Sequence, residues 1–520
     1  ISFSPVKPPC VEPRDVATSR AALLWRYIAV APYLPGGEET CDATALVDPW
    51  PHQRHVVEET AEAYPAGRLL CDEVGMGKTV EALLVLRRLL AGRGVKRALL
   101  LVPAGLLRQW QAELREKGGL LVPYWEQGKL VQPNGDASAC EALKALAEEP
   151  LLLLSREWAR LANNRDLVLS APRYDFVLMD EAHAARRRAN VEGEFNSGNL
   201  LLDLLRQMQL RGRTRGILLL SATPMQTQPW EPWDLLSVLG AGGRWLAGFE
   251  EIRDYYGAVG RLSRGLQVSL PAARPVINLV VEDEAFPALP GGHRPHAQAL
   301  QRRLTFPHGA AEARETSDWL RKGAPLGRQM HRNTRETLRA YHKLGMLEAP
   351  PPTRQVADVV FDYQDERERD VYKAIKTYID RRFEQLEGEK AGKGFVMTVY
   401  RRRLASSPYA LKASLRRRLH KLEQVIKALT PAALVWTDED ETIADRLELE
   451  PDLDVLLDEA LPKSAEVAHA EAADIRHLLG RLDGLDQTDS KRDRFFGVLE
   501  RALADSRRVL VFTEYADTMR

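Results

Sequence analysis

The segment around residues 68–90 constrains the fold of this chain more than any other. A short apolar run at 69–71 is followed by Asp-Glu-Val-Gly-Met-Gly-Lys-Thr at 72–79. The two glycines of this turn let backbone N–H groups point at an anion, and a following helix adds its positive end. Lys78 can neutralise terminal phosphates, and Thr79 can offer its hydroxyl to Mg²⁺. The pattern predicts a strand, an ATP-binding loop and a helix.

Four more apolar runs follow, each continuous rather than alternating. The five runs lie at 69–71, 98–102, 151–154, 176–179 and 217–220. Continuous runs are typical of strands covered on both faces by helices. Helical stretches lie between them, for example at 106–116 and 200–209. We therefore predict an α/β lobe with a doubly wound parallel sheet, in which ligands bind at the carboxyl ends of the strands.

Two adjacent carboxylates, Asp180 and Glu181, follow the fourth run in an Asp-Glu-Ala-His sequence that ends at His183. We expect Asp180 to hold Mg²⁺ and Glu181 to orient and deprotonate an attacking water. The alternative is a helix-capping acid beside a solvated glutamate. Ser221 and Thr223 follow the fifth run and suit a relay from the phosphate site to a neighbouring domain, or equally a capped loop.

Composition argues against a membrane-spanning protein, a zinc knuckle and a disulfide-rich fold. The 520 residues contain 73 Lys plus Arg and 73 Asp plus Glu, so net charge alone does not indicate a polyanionic partner. The four cysteines include no Cys-x-x-Cys pair, which argues against a zinc knuckle or a disulfide framework. No apolar run approaches the ~18 residues of a membrane span. We expect a cytoplasmic protein with no membrane partner.

Basic residues cluster where the sequence becomes strongly helical, after residue 365. Ser407 and Pro408 predict a helix N-cap and first turn, so that basic groups project from two consecutive helices. These groups suit a sequence-independent phosphate-facing surface, or equally a solvated face paired with acids such as Glu423. The candidate nucleic-acid residues here are Arg401, Arg402, Arg403, Lys412 and Arg416. Trp110 and Trp158 could stack on bases, but tryptophans on apolar helices belong more often to a core.

The three motifs in this order resemble those of superfamily 2 helicases, specifically the SWI/SNF-type branch with its bacterial RapA-like translocases. In that family an acidic residue commonly stands where Asp72 replaces the first glycine. The resemblance implies RecA-like lobes, with Gln53 reading adenine and the ATP loop formed by Asp72, Glu73, Gly75, Met76, Gly77, Lys78 and Thr79. It implies nucleic-acid contacts for Pro103 and Gln109, as in motif Ia, and for Ser155, as in motif Ib. Residues 332–335 and 351–354 resemble the link between lobes, and 509–515 resemble motif IV.

The resemblance also implies a domain order: an N-terminal extension at 1–48, a first RecA-like lobe at 49–240 and an inter-motif region with the lobe link at 241–360. A helical insertion with an acidic linker follows at 361–487, and the start of a second RecA-like lobe at 488–520. The buried strand of that lobe is predicted at 508–513. Motifs V and VI are not in the sequence, so we expect these 520 residues alone to bind ATP but hydrolyse it slowly.

The function implied is that of a bacterial ATP-dependent translocase on double-stranded DNA. It uses ATP and Mg²⁺, contacts DNA independently of sequence and works with protein partners in a multi-subunit system. Two segments, Arg-Arg-Leu-Ala-Ser-Ser-Pro and Asp-Glu-Ala-His-Ala-Ala-Arg, are also similar to helicase-like proteins of DISARM-type phage defence. The alternatives are a RapA-like remodeller of RNA polymerase and a nucleotide-gated scaffold that clamps DNA without moving.

Overall fold

A computed structural model describes residues 41–187, 198–225, 229–353, 356–389, 397–427, 461–462, 465–485, 488–505 and 508–513. The chain divides into two compact units, Ile1–Pro352 and Thr353–Arg520. The boundary falls eight residues before the predicted one at 360. The acidic stretch at 438–459, Arg354, Glu514 and Tyr515 lie outside the described residues.

The first unit contains a nine-stranded sheet whose order is β5-β4-β3-β6-β2-β7-β8-β1-β9. All five predicted strands are present, and the pairs β1–β8, β8–β7, β7–β2 and β2–β6 are parallel. This confirms the predicted parallel α/β fold. The strands are β1 Arg68–Leu70, β2 Ala98–Val102, β3 Tyr124–Glu126, β4 Lys129–Val131, β5 Ala137–Ala139, β6 Leu151–Ser155, β7 Tyr174–Met179, β8 Thr214–Leu220 and β9 Met330–His331.

The continuous apolar runs form strands because both faces of the sheet are covered. Along β2, Leu100 and Val102 pack into one core, and Leu99 and Leu101 pack into the core on the other face. Side chains alternate between faces in a strand, so each run must be apolar at every position. The helices that pack around this sheet, or lie on the loops between its strands, are Pro51–Ala63, Lys78–Gly92, Leu107–Gly118, Ala142–Glu148, Arg156–Ala159, Ala162–Ser170, Leu200–Leu210 and Glu231–Val238.

Two parts of this sheet are absent from the prediction. The antiparallel edge formed by β3, β4 and β5 consists of three-residue strands, too short to show a pattern. Strand β9 has two residues and pairs with β1, with Leu70 opposite His331. It returns the chain to the sheet after a helical section whose core includes Trp233, Trp245 and Tyr255. The helices of that section and after it are Phe249–Ser263, Leu270–Glu282, Ala297–Thr305, Gly309–Gly323, Pro325–Gln329 and Arg335–Lys343.

The regular secondary structure of the second unit, among its described residues, is all helical. Its helices are Glu366–Glu389, Met397–Ser406, Pro408–Lys427, Ala465–Asp483 and Ser490–Asp505. Ser407 caps its helix as predicted, because its hydroxyl accepts the Ala410 N–H at 3.0 Å. A charged cluster is buried in the core: the Glu471 carboxylate accepts from Arg418 at 2.6 Å and from the Tyr378 hydroxyl at 3.0 Å. Burial alone raises the pKa of Glu471, but the arginines outweigh it and lower the pKa.

The strand predicted at 508–513 is wrong. These residues have no regular secondary structure, and Leu510 and Phe512 are 84% and 89% exposed. A buried strand needs neighbouring strands for its backbone groups, and the described residues of the second unit include no strand. No helix among the described residues is long and apolar enough to cross a membrane.

Candidate nucleotide-binding site

The loop after β1 has the geometry predicted for phosphate binding. Gly75 and Gly77 have φ angles of 88° and 89°, in the left-handed region that favours glycine. Helix Lys78–Gly92 begins directly after the second glycine. The Lys78 ammonium lies within the loop and donates to the Asp72 carbonyl oxygen at 2.7 Å. A cation and a helix N-terminus therefore meet at one turn, with Thr79 in the first turn of the helix and Met76 buried beneath it.

The side chain of Asp72, a predicted ATP contact, is hydrogen-bonded inside the protein. It is fully buried, and its carboxylate accepts from the Asn333 backbone N–H at 2.7 Å and from the Asn333 side-chain amide at 3.1 Å. The cause is the pairing of β1 with β9, which brings the residues after both strands together. Glu73 is held in the same way, since its carboxylate accepts the Arg335 N–H at 2.8 Å. Both acids fasten the loop to the predicted link segment.

Gln53, the predicted adenine contact, lies directly against the loop. Its amide nitrogen donates to the Met76 carbonyl at 2.9 Å, and its amide oxygen accepts the Trp50 N–H at 2.8 Å. A Cβ atom on Gly77 would lie only 2.3 Å from the Gln53 amide nitrogen, so a larger residue cannot replace this glycine without displacing Gln53. The structure brings Gln53 to the nucleotide loop, and the adenine contact stays a prediction.

Behind the loop lies a buried acidic cluster that the sequence motifs do not predict. Ligand atoms of His52, Asp72 and Glu81 lie within 4.8 Å of one another. Burial, and then the negative charge of Asp72, raise the pKa of Glu81 to about 9. Burial lowers the pKa of His52. A neutral Glu81 can donate its proton to Asp72, whereas an ionised Glu81 has no described donor for either oxygen.

The two carboxylates predicted to be catalytic, Asp180 and Glu181, follow β7 at the same sheet edge as the loop, because β7, β8 and β1 are parallel neighbours. One Asp180 oxygen accepts the indole N–H of Trp110 at 2.8 Å, and the other accepts the Glu181 N–H at 2.8 Å. Burial raises the pKa of Asp180, and these two hydrogen bonds oppose the rise. Trp110 is a core residue, as the more common case suggests, but its indole nitrogen also fixes the predicted metal ligand.

Glu181, His183 and Ser221 form a chain of polar contacts across two strands. The nearer His183 nitrogen is 3.2 Å from a Glu181 carboxylate oxygen and 3.1 Å from the Ser221 hydroxyl. The Ser221 hydroxyl in turn accepts the Thr223 N–H at 3.2 Å. The hydrogen bond from His183 is the main cause of a lowered pKa of Glu181, and Lys78 contributes to the lowering. The predicted catalytic and coupling residues therefore meet at one site.

The predicted nucleic-acid residues of this unit lie on the same edge. Pro103 is partly exposed after β2, and Gln109 is exposed on helix Leu107–Gly118. Ser155 at the end of β6 is 8% exposed, and its hydroxyl accepts the Trp158 N–H and donates to Glu157. That hydroxyl is therefore used inside the protein. Contacts of all three with nucleic acid stay predictions.

The basic cluster of the second unit is largely paired with acids, which favours the solvated-face alternative. Arg401 lies 2.5 Å from Asp380, and Lys412 and Arg416 both contact Asp483. Glu423 pairs with Arg476 at 2.7 Å. Arg402 is exposed. The prediction that Arg403 faces phosphates is wrong: its side chain turns toward the helical core and the residue is 5% exposed.

The donor set at the loop fits Mg²⁺, which prefers oxygen ligands and binds through one or two protein groups together with phosphates. Thr79 supplies a hydroxyl and Asp180 a carboxylate whose orientation is fixed by Trp110. Each Asp180 oxygen has accepted one hydrogen bond and retains a further lone pair.

Comparison with known proteins agrees with this geometry. The family model of the SNF2-related domain matches residues 52–245, a range that contains the loop, the carboxylate pair and Ser221. Residues 52–245 are therefore similar to SNF2-related domains. This match confirms the SWI/SNF-type resemblance for the part of the chain that carries the site.

Curated relatives are similar to part of this chain. "Uncharacterized ATP-dependent helicase YqhH" of Bacillus subtilis is 34% identical over 194 residues, covering 37% of this chain and 30% of that protein. "RNA polymerase-associated protein RapA" of Pseudomonas aeruginosa is 33% identical over 184 residues, covering 35% and 18%. RapA of Pseudomonas putida is 29% identical over 314 residues, covering 59% and 30%. The chain thus spans less than a third of the length of these relatives.

Among solved structures, the Sulfolobus solfataricus SWI2/SNF2 ATPase core in complex with double-stranded DNA matches with a TM-score of 0.33 and 12% identity. The match covers 74% of this chain and 65% of that one. A TM-score this low supports no inference about function.

Proposed function

We propose that this chain is the ATP-binding part of a DNA-dependent ATPase that moves along double-stranded DNA. The observation that carries the proposal is the convergence of Lys78, Glu181, His183 and Ser221 at one sheet edge of an SNF2-related domain. The chain of contacts from Glu181 through His183 to Ser221 runs from the carboxylate pair to the strand beside the phosphate loop. The nucleotide is ATP with Mg²⁺.

The roles of the residues follow from their positions. The loop N–H groups and the helix N-terminus bind phosphate oxygens, and Lys78 leaves the Asp72 carbonyl to neutralise the terminal phosphate. Thr79 and Asp180 would hold Mg²⁺, which when bound would neutralise charge on the phosphates. Glu181 is ionised at neutral pH because its pKa is lowered, so it can orient a water and accept its proton.

Coupling to movement runs through His183 and Ser221. A single His183 nitrogen faces both the Glu181 carboxylate and the Ser221 hydroxyl, so the imidazole cannot satisfy both fully at once. A change in the charge around Glu181 therefore shifts the hydrogen bond of Ser221 and the loop that begins with it. We expect Ser221→Ala to leave ATP binding unchanged and to reduce the stimulation of hydrolysis by DNA.

Duplex DNA is the proposed partner because backbone tracking needs contacts that are independent of sequence. Remodelling of RNA polymerase is the second candidate, favoured by the 29–33% identity with RapA proteins. A role in phage defence and a multi-subunit assembly rest on the sequence resemblance alone and stay predictions.

The test measures ATP hydrolysis and third-strand displacement by the full-length protein with duplex DNA. Glu181→Gln should retain ATP binding and lower the hydrolysis rate by about 10²- to 10⁴-fold, the usual contribution of a general base. Glu62→Gln, an exposed acid of the same unit, is the matched control. Nucleotide-dependent DNA retention without displacement would indicate a clamp, and stimulation by RNA polymerase alone would favour the second candidate.

A further inference from the structure

Two buried side chains hold the Asp180–Glu181 dipeptide from neighbouring parts of the sheet edge. The Trp110 indole N–H donates to the Asp180 carboxylate at 2.8 Å. The Arg156 guanidinium donates to the Glu181 carbonyl at 2.7 Å and to the Asp180 carbonyl at 3.3 Å. Trp110 and Arg156 are 3% and 8% exposed, so neither can bind a ligand from solvent as it stands. Their contacts are directed at the predicted metal ligand and general base.

The helix that carries Trp110 presents a different residue to solvent. Gln109 precedes Trp110 on helix Leu107–Gly118 and is exposed. Successive residues of a helix point about 100° apart, so one face can meet a ligand while the next residue holds Asp180. The indole has a single donor and no acceptor. A displacement of this helix therefore either moves the Asp180 carboxylate or breaks this hydrogen bond.

Arg156 is connected to the same region through Glu157. One Glu157 oxygen accepts the Ala104 N–H at 2.9 Å and the Ser155 hydroxyl at 3.0 Å, and the other accepts from Arg156 at 2.8 Å. A direct path of hydrogen bonds thus runs from the segments after β2 and β6 to the backbone of Glu181. Glu181 has a φ of 50°, a backbone conformation that is unfavourable for residues other than glycine. Its conformation therefore needs the support of these hydrogen bonds.

We propose that Trp110, Arg156 and Glu157 are positioning residues that transmit DNA contact at the segments after β2 and β6 to Asp180 and Glu181. The inference rests on the proposed DNA-dependent ATPase function. Residues that orient a metal ligand typically change metal affinity by 10- to 100-fold when they are altered. Coupling between two binding sites is reciprocal, so bound metal and nucleotide must change DNA affinity by the same factor by which DNA changes theirs.

The first measurement is Mn²⁺ binding by paramagnetic resonance in the presence of a non-hydrolysable ATP analogue. Trp110→Phe keeps an aromatic ring and removes the N–H, and should weaken Mn²⁺ binding by about tenfold. Affinity for the analogue in chelator should not change. The matched control is Trp125→Phe, which loses an equivalent 2.8 Å hydrogen bond to the Cys140 carbonyl without touching Asp180. Equal Mn²⁺ affinity in wild type and Trp110→Phe overturns the role of the indole.

The second measurement is duplex DNA affinity with and without Mn²⁺ and the analogue. The DNA affinity of the wild type should differ between the two conditions. In Trp110→Phe this difference should fall toward zero, whereas the DNA affinity measured without nucleotide should equal that of the wild type. Glu157→Gln, in which the side chain keeps nearly the same shape, should also lose this difference in DNA affinity. This second variant provides the test if Trp110→Phe folds poorly. A wild type that binds no DNA or nucleotide contradicts the proposed function. A wild type that couples the two, with both variants unaffected, overturns only the relay.

Discussion

Glu81 offers the sharpest test of the electrostatics behind the phosphate loop. It is fully buried beside Asp72, and its pKa is raised from 4.5 to about 9. The native state then holds this proton more tightly than the unfolded state, so unfolding releases it. Stability from this group is complete below pH 4.5 and is lost as the pH rises toward 9. The loss amounts to about 3 kcal/mol at pH 7, from 1.36 kcal/mol for each pH unit above 4.5.

The variant Glu81→Gln keeps the shape of the neutral acid and a donor for Asp72, but does not titrate. The free energy of unfolding of the variant minus that of the wild type should therefore rise by about 4 kcal/mol between pH 5 and pH 8. Titrating groups that do not contact Glu81 cancel in this difference, whereas His52 and Asp72 lie beside it. The difference reaches this full size as long as the pKa of Glu81 in the folded state is above 8.

The assay is denaturant unfolding followed by tryptophan fluorescence at several pH values, in chelator and without nucleotide. Tryptophan fluorescence reports mainly on the first unit, because nine of the ten tryptophans lie before residue 353. Glu62→Gln, an exposed acid of the same unit, should give a flat difference. A flat difference for Glu81→Gln would refute the raised pKa of Glu81, and a falling one would mean that ionised Glu81 has a stabilising partner.

Two further predictions concern the second unit. Glu471→Ala leaves Arg418 buried without its carboxylate partner and should lower the free energy of unfolding by about 3–5 kcal/mol, measured by denaturant unfolding followed by circular dichroism. Glu423→Ala, at an exposed ion pair, should lower it by about 1 kcal/mol or less. Equal losses would contradict the buried cluster. Asp483→Asn frees Lys412 and Arg416, and if this surface faces phosphates the logarithmic salt slope of DNA binding should steepen by about one. An unchanged slope would identify the cluster as ordinary surface.

The parallel sheet and the catalytic edge could be predicted because their signals are local. A strand buried on both faces must be apolar throughout, as 98–102 and 151–154 are, and polar residues that end such strands must meet at one edge. The loop could also be predicted from its glycines, because Gly75 and Gly77 have a backbone conformation that other residues avoid.

What could not be predicted depends on distant parts of the chain. The burial of Asp72 follows from the two-residue strand β9 and from Asn333 after it, which lies 261 residues beyond Asp72. The contact between Trp110 and Asp180 spans 70 residues and leaves no pattern in the sequence. Arg403 belongs to a run of three arginines, and only helix packing decides which of them turns inward. Such features need the fold itself.

We propose that Lys78, Thr79 and Asp180 bind one Mg²⁺–nucleotide complex. It is tested most directly by crystallising the chain with a non-hydrolysable ATP analogue and Mn²⁺ and locating the manganese by its anomalous scattering. We predict one strong peak between the Thr79 hydroxyl and the Asp180 carboxylate, with the Lys78 ammonium moved from the Asp72 carbonyl to the terminal phosphate. Manganese and phosphates located away from this loop, with Lys78 still on the Asp72 carbonyl, would contradict the account.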